Sequence, residues 1–255
     1  MLHADDLALF VASTIGQALN AVAGGGSFVT FPALLLAGVS PIEANATSTV
    51  ALWPGALASA YGYRRDLAAD RRVIVLLAVT SVIGGLFGAL LLLRTPEARF
   101  AALVPYLLAF ATLLFLAGTL FEPAAPPDAN RSPSRLFAVG AIQFTVAVYG
   151  GYFGGGIGIM MLAAFALMQL GNINAMNGLK SIMGAAVNGA AVVTFALTRL
   201  VVWRHALIMV LGSVLGGYLT ARFARRLPPQ VIRWLVIAVG ALLTVYFFGH
   251  PAGSA

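Results

Sequence analysis

The chain has 255 residues, 60% of them hydrophobic and only 9% charged, with a mean hydropathy of +0.94. A water-soluble domain carries about 25% charged residues, so this composition excludes a soluble surface. The net charge of +7 comes from 15 basic against 8 acidic residues; the basic ones are nearly all arginines in short segments between apolar runs, the pattern of membrane anchoring and not of a nucleic-acid surface.

The first run, Leu7 to Ile42, contains no Asp, Glu, Lys or Arg. Further charge-free runs follow at 44–63, 73–93, 100–121, 136–179, 181–198, 205–221 and 234–255. About 20 apolar residues cross a hydrocarbon core of about 30 Å, and most of these runs are long enough. The fold class is an all-α polytopic membrane protein. Asp5 and Asp6 stand where a secretory signal carries basic residues, so the first run is expected to be retained. The absence of cysteine excludes disulfides and thiolate-ligated metals.

The first run cannot be one straight helix. Residues 7 to 37 would extend about 46 Å at 1.5 Å per residue, and three consecutive glycines, Gly24, Gly25 and Gly26, supply the break. A short apolar segment follows, then the uncharged turn LAGVSPIEA, the polar cluster NATST, an arginine-bearing loop and two further spans. The segment 121–135, FEPAAPPDANRSPSR, has a linker composition. Beyond it the same order returns: Gly154, Gly155 and Gly156, a short apolar segment, the turn LMQLGNINA, the cluster NGLKS and two more spans. SVIGG at 81–85 matches SVLGG at 213–217, Arg94–Pro96 matches Arg226–Pro228, and Asn45 matches Asn177, all at an offset of 132. The glycine triplets match at an offset of 130. The expected organisation is about eight helical segments in two four-segment repeats, 1–120 and 136–255, with glycine-broken first helices and re-entrant hairpins after them.

Two topologies remain open. If every run crosses, the arginines outside the spans divide eight to six; if each broken element forms a re-entrant hairpin, the repeats are inverted and the division is ten to four. The positive-inside rule favours the second, and inverted repeats with broken helices at the midplane are common in secondary transporters.

The motifs point to an anion. A broken helix presents free backbone N–H groups and a positive dipole end, and no Gly-Lys-Ser/Thr follows either triplet to make a nucleotide loop. Lys180 is the sole lysine and lies between charge-free runs. It either snorkels to an interface or attracts an anionic substrate. Asn177 and Ser181 beside it, with Asn45, Thr47, Ser48 and Thr49 in the first half, offer hydrogen bonds to a small oxyanion. Glu43, at the first uncharged turn, either carries a coupling proton or begins the following helix. Gln17, Asn20, Gln143, Asn188 and Thr194 are expected to bond between helices, and Gly84/Gly88 and Gly212/Gly216 to pack helices closely. His3, His205 and His250 form no cluster in the spans, so no catalytic set or metal site is expected.

The stretch from Gly24 to Tyr63, GGGSFVTFPALLLAGVSPIEANATSTVALWPGALASAYGY, resembles the N-terminal signature of the TauE/SafE family, and Gly154 to Phe195 resembles its C-terminal one. The resemblance implies a permease of about eight segments built by duplication, which moves sulfite, sulfonates or other small anions, usually outward across the bacterial inner membrane. The matching positions are the two triplets, Pro41, Asn45 and Thr47–Thr49, then Asn177, Lys180 and Ser181; Ile173 stands where a second Pro41 would be. The expected partners are a small anion, the lipid bilayer and a second copy of the chain, with no cofactor and no nucleic acid. A passive anion channel is the alternative.

Overall fold

The computed structural model describes residues 4–65, 67, 70–120, 133–168, 170, 173–223 and 229–249. Most of the expected linker, Gly171 and Asn172 of the second turn, Arg225, Arg226, His3 and His250 lie outside the described residues. The described residues form ten helices: α1 (Ala4–Ala23), α2 (Ser27–Leu36), α3 (Pro41–Gly62), α4 (Arg71–Leu93), α5 (Glu97–Leu120), α6 (Pro133–Tyr152), α7 (Ile157–Leu167), α8 (Ile173–Leu197), α9 (Trp203–Phe223) and α10 (Pro229–Gly249). The expected eight segments become ten because each glycine-broken element is two helices. At about 1.5 Å per residue, α2 and α7 reach only about 15 Å, half of a hydrocarbon core.

The breaks fall at the glycine triplets. Gly24 has φ +85°, and Gly154 and Gly156 have φ +75° and +77°, left-handed values that end a right-handed helix. α2 then folds back along α1: a methyl group added to Gly16 would lie 2.9 Å from both Gly26 O and Thr30 Cγ2. The return ends in a Schellman turn, with Gly38 N–H on Leu35 O (3.0 Å) and Val39 N–H on Leu34 O (3.1 Å). Ser40 stands at the N-cap position of α3 without a side-chain bond to the helix backbone, Pro41 fills the first position, and Ser40 Oγ donates to Glu43 Oε2 at 3.0 Å.

Contacts along the helices fix their directions. Asp6 meets Arg204, Phe10 meets Gly212 and Thr14 meets Gly216, so α1 and α9 run parallel. Thr47 meets Val202, Ala51 meets Ser213 and Gly55 meets Gly217, so α3 runs the same way. α4 and α6 are likewise parallel, through Ser81 with Gln143, Gly84 with Phe144 and Gly88 with Val148. α3 and α8 are antiparallel, since Trp53 Nε1 donates to Ala185 O (2.9 Å) while Tyr63, ten residues on, packs on Gly178. The packing partners exchange between halves. Gly85 and Gly217 lie 132 positions apart, and so do their partners Val187 and Gly55, in the opposite order.

Unlike a soluble protein, the chain carries large apolar side chains over its exterior as well as in its core. Outward-facing side chains of α4 include Val79, Ile83, Phe87 and Leu91, while its buried face carries Ser81, Gly84, Gly85 and Gly88. Among the described residues, Arg71–Leu93 and Asn174–Leu197 are long and apolar enough to cross a membrane by length and composition. The small-residue pairs Gly84/Gly88 and Gly212/Gly216 do bring backbones together: a side chain at any of the four would strike a carbonyl of the neighbouring helix.

At the centre the two breaks touch. A methyl group on Gly24 would lie 2.5 Å from Gly158 Cα, and one on Gly158 would lie 2.5 Å from Gly24 Cα. The start of α7 therefore crosses the end of α1 with no side chain between them. Gly158→Ala should lower the thermal unfolding midpoint in detergent, by a loss of about 1–3 kcal/mol for overpacking. Gly184→Ala, where an added methyl meets nothing within 4 Å, should leave that midpoint unchanged. Directions predict accessibility as well. In this cysteine-free chain, single cysteines at Arg64 and Thr198, which follow the antiparallel α3 and α8, should label from opposite sides of sealed vesicles; labelling from one side contradicts the helix directions.

Candidate functional site

Lys180 is buried, with 4% of its surface exposed, at the inner side of α8. Its ammonium donates three hydrogen bonds: to Asn20 O (3.0 Å), Ala21 O (3.1 Å) and Asn177 Oδ1 (2.8 Å). Those are all the protons it has. Asn20 and Ala21 belong to the last turn of α1, whose dipole end is negative; Asn20 O also accepts from Gly24 N (3.0 Å), whereas Ala21 O is a helix-end carbonyl without a backbone partner among the described residues. Lys180 thus closes the end of the first broken helix from the other half of the chain. No carboxylate lies within 4.0 Å of it among the described residues.

The other half makes a neutral counterpart. Asn45 Nδ2 donates to Tyr152 O (3.0 Å), the last residue of α6, and Tyr149 Oη donates to Gly155 O (2.9 Å) within the second break. Ser48, which an offset of 132 pairs with Lys180, shares a 2.6 Å hydrogen bond with Thr30 of α2. Thr49 and Ser181 both bond back to the carbonyl four residues earlier, those of Asn45 (2.8 Å) and Asn177 (2.9 Å).

A cavity of about 30 Å³ lies against Lys180. Gln17, Asn20, Ser27, Lys180, Ser181 and Asn188 give it polar walls, and Leu52, Ile157 and Met161 apolar ones. Gly154 and Gly158 bring backbone from the second break to the same space. The volume suits a water molecule or two, so in this conformation the space is too small for a sulfite-sized anion. Asn188 Oδ1 is buried without a hydrogen-bond partner among the described residues, so the site has polar capacity in reserve.

Of the residues singled out in the sequence, Gly154, Lys180 and Ser181 line this cavity, Asn177 holds Lys180, and Gly24 packs on the lining residue Gly158. Gly25, Gly26, Gly155 and Gly156 form the breaks themselves; Gly26 sits against Asn20 and Gly156 against Ala111 of α5. Asn45 and Ser48 join helices instead of lining the cavity, and Thr47 Oγ1 accepts from Val202 N (3.0 Å), tying α3 to the start of α9. Glu43 lies at the first turn of α3 with Ser40, the geometry of a helix start. Glu97, at the start of α5, adds a second acceptor there through Ile42 N–H (2.9 Å).

The sequence placed Gln17, Asn20 and Asn188 among interhelical bonds, and the structure adds them to the cavity. Gln17 does bond across, Nε2 to Ser59 Oγ at 3.3 Å, and Asn20 bonds Gln17 at 3.3 Å. The available signal was proximity: both lie within two helical turns of the first triplet. Gln143 bonds Ser81 (2.8 Å) as expected, whereas Thr194 only bonds back to Ala190 O.

The chain matches the family model described as sulfite exporter TauE/SafE over residues 9–247. It is 29% identical over 238 residues to a probable membrane transporter protein of Haemophilus influenzae, covering 92% of this chain and 91% of that one. It is 26% identical over 243 residues to probable membrane transporter protein ORF9 of a Sinorhizobium species, covering 95% and 92%, and 27% identical over 241 residues to probable membrane transporter protein YfcA of Escherichia coli K12, covering 92% and 87%. Near-complete coverage by that model, on a chain whose described residues are all-helical with an apolar exterior, makes this an integral membrane protein of the sulfite exporter TauE/SafE family.

Proposed function

We infer that the protein is a secondary transporter of a small anion such as sulfite or a sulfonate, acting as an exporter at a bacterial inner membrane. The observation that carries this is Lys180: a buried ammonium with no carboxylate within 4.0 Å among the described residues, on a polar cavity walled by the broken helices of both halves. A buried cation without a counter-charge is costly even when hydrogen-bonded, and an anion in the cavity offsets that cost. At an effective dielectric of about 20, a charge pair at about 4 Å is worth on the order of 4 kcal/mol before desolvation.

The architecture in this reading is a pair of inverted repeats, residues 1–120 and 136–255, joined by the linker 121–135. The antiparallel run of α3 and α8 and the exchanged glycine contacts support it. It puts ten arginines on the face taken as cytoplasmic and four on the other, and it sets the site near the midplane, where transporters of this kind bind. The small size of the cavity favours alternating access over a continuous pore.

Two measurements test the reading. Preloaded vesicles should show sulfite or sulfoacetate uptake stimulated by internal anion; flux without such exchange stimulation would make the protein a channel. Lys180→Met should weaken anion binding at least about tenfold, the equivalent of 1.4 kcal/mol, while Asn177→Ala loses about 1 kcal/mol. Unchanged affinity in a folded Lys180→Met protein removes the charge from the binding site.

A further inference from the structure

All three protons of Lys180 are already engaged, and the cavity beside it holds water at most. An anion that enters must therefore take a proton from one of the present acceptors. Asn177 Oδ1 moves with Lys180, three residues away on the same helix. The carbonyls belong to the other half of the chain. Asn20 O keeps a second bond from Gly24 N (3.0 Å), so Ala21 O is the carbonyl left bare. An oxyanion is the stronger acceptor for an ammonium, so the exchange favours the anion.

The corresponding joint in the second half cannot respond in this way. The end of α6 is held by the neutral amide of Asn45, and Ser48 is occupied by Thr30. An anion gains little by competing for either. We propose that Lys180 is a latch: it holds the end of α1 while the cavity is empty and yields part of that cap to an entering anion, so occupancy frees the α1–α2 arm and leaves the α6–α7 arm in place. The Gly24–Gly158 crossing, where bare backbones touch, is the surface on which the freed arm slides. This rests on the anion-site reading above and adds to it which element moves and what releases it.

Hydrogen exchange on the purified full-length protein, with sulfite as the probe and sulfite binding measured by equilibrium dialysis on the same samples, decides the matter. Sulfite should raise exchange in residues 17–30 by about threefold or more, through local opening, and leave residues 147–160 unchanged. Lys180→Met should show the raised exchange at 17–30 without sulfite and no further response to it. Asn45→Ala should raise exchange at 147–160 whether or not sulfite is present. Bound sulfite with exchange at 17–30 unchanged or slowed, or with both arms loosened equally, overturns the latch and leaves the anion site standing. No binding of sulfite overturns both. The wild-type comparison needs no variant to fold.

Discussion

A helix that stops inside a bilayer leaves its last carbonyls with no water to bond, and each bare group costs several kcal/mol in that setting. The ammonium of Lys180, reaching from α8, meets that demand at Ala21 O and adds a second bond to Asn20 O, which Gly24 N already reaches. The rest of the centre follows from it. Because the cap comes from the opposite half of the chain, the end of α1 must lie against α8, and α7 must cross at Gly24 and Gly158, where only glycine leaves room. The polar cavity is the space left beside the cap, walled by what surrounds a helix end.

Around this centre the packing is set by small residues. α4 and α9 carry Ser-Val-Ile-Gly-Gly and Ser-Val-Leu-Gly-Gly, and each seats its glycines on carbonyls of two helices from the other half. Between apolar helices in lipid there is no hydrophobic drive to associate, so close backbone approach and buried hydrogen bonds do that work. Ser81 with Gln143 and Ser213 with Ala51 O add polar ties at the same levels. At one end of the molecule the buried Asp6 pairs with Arg204 (2.8 Å), and Thr47 holds the segment before α9, so α1, α3 and α9 are fastened together away from the cavity. The fastened end and the latched end of α1 are thus different in kind, one an ion pair at the periphery and one a cation shared with a binding site.

Much of this was legible in the sequence because it lives in composition and spacing. Charge-free runs located the helices, the triplets located both breaks, and the SVxGG pairs located the seams, since each is a local property of consecutive residues. The sole lysine stood out for the same reason. What Lys180 touches was not legible, because its partners are backbone carbonyls 159 and 160 positions away, and a carbonyl carries no sequence signature. The cavity residues Gln17, Asn20 and Asn188 were visible as polar positions in apolar runs, but a side chain that bridges helices and one that lines a cavity look alike in a sequence. Glu43 shows the converse: a carboxylate just after an uncharged turn already suits a helix start, and Glu43 lies in the first turn of α3 with Ser40 Oγ donating to its carboxylate.

The most direct test of the anion site is to see the anion. Selenite is a close analogue of sulfite, and its selenium scatters anomalously, so crystals of the full-length protein grown with it locate the ion without ambiguity. The account predicts an anomalous peak within hydrogen-bond reach of Lys180 Nζ, between the end of α1 and the start of α7, in a cavity enlarged from its present volume. Selenite ordered only at the arginine-bearing ends, with Lys180 still bonded to Asn20 O and Ala21 O, would contradict it.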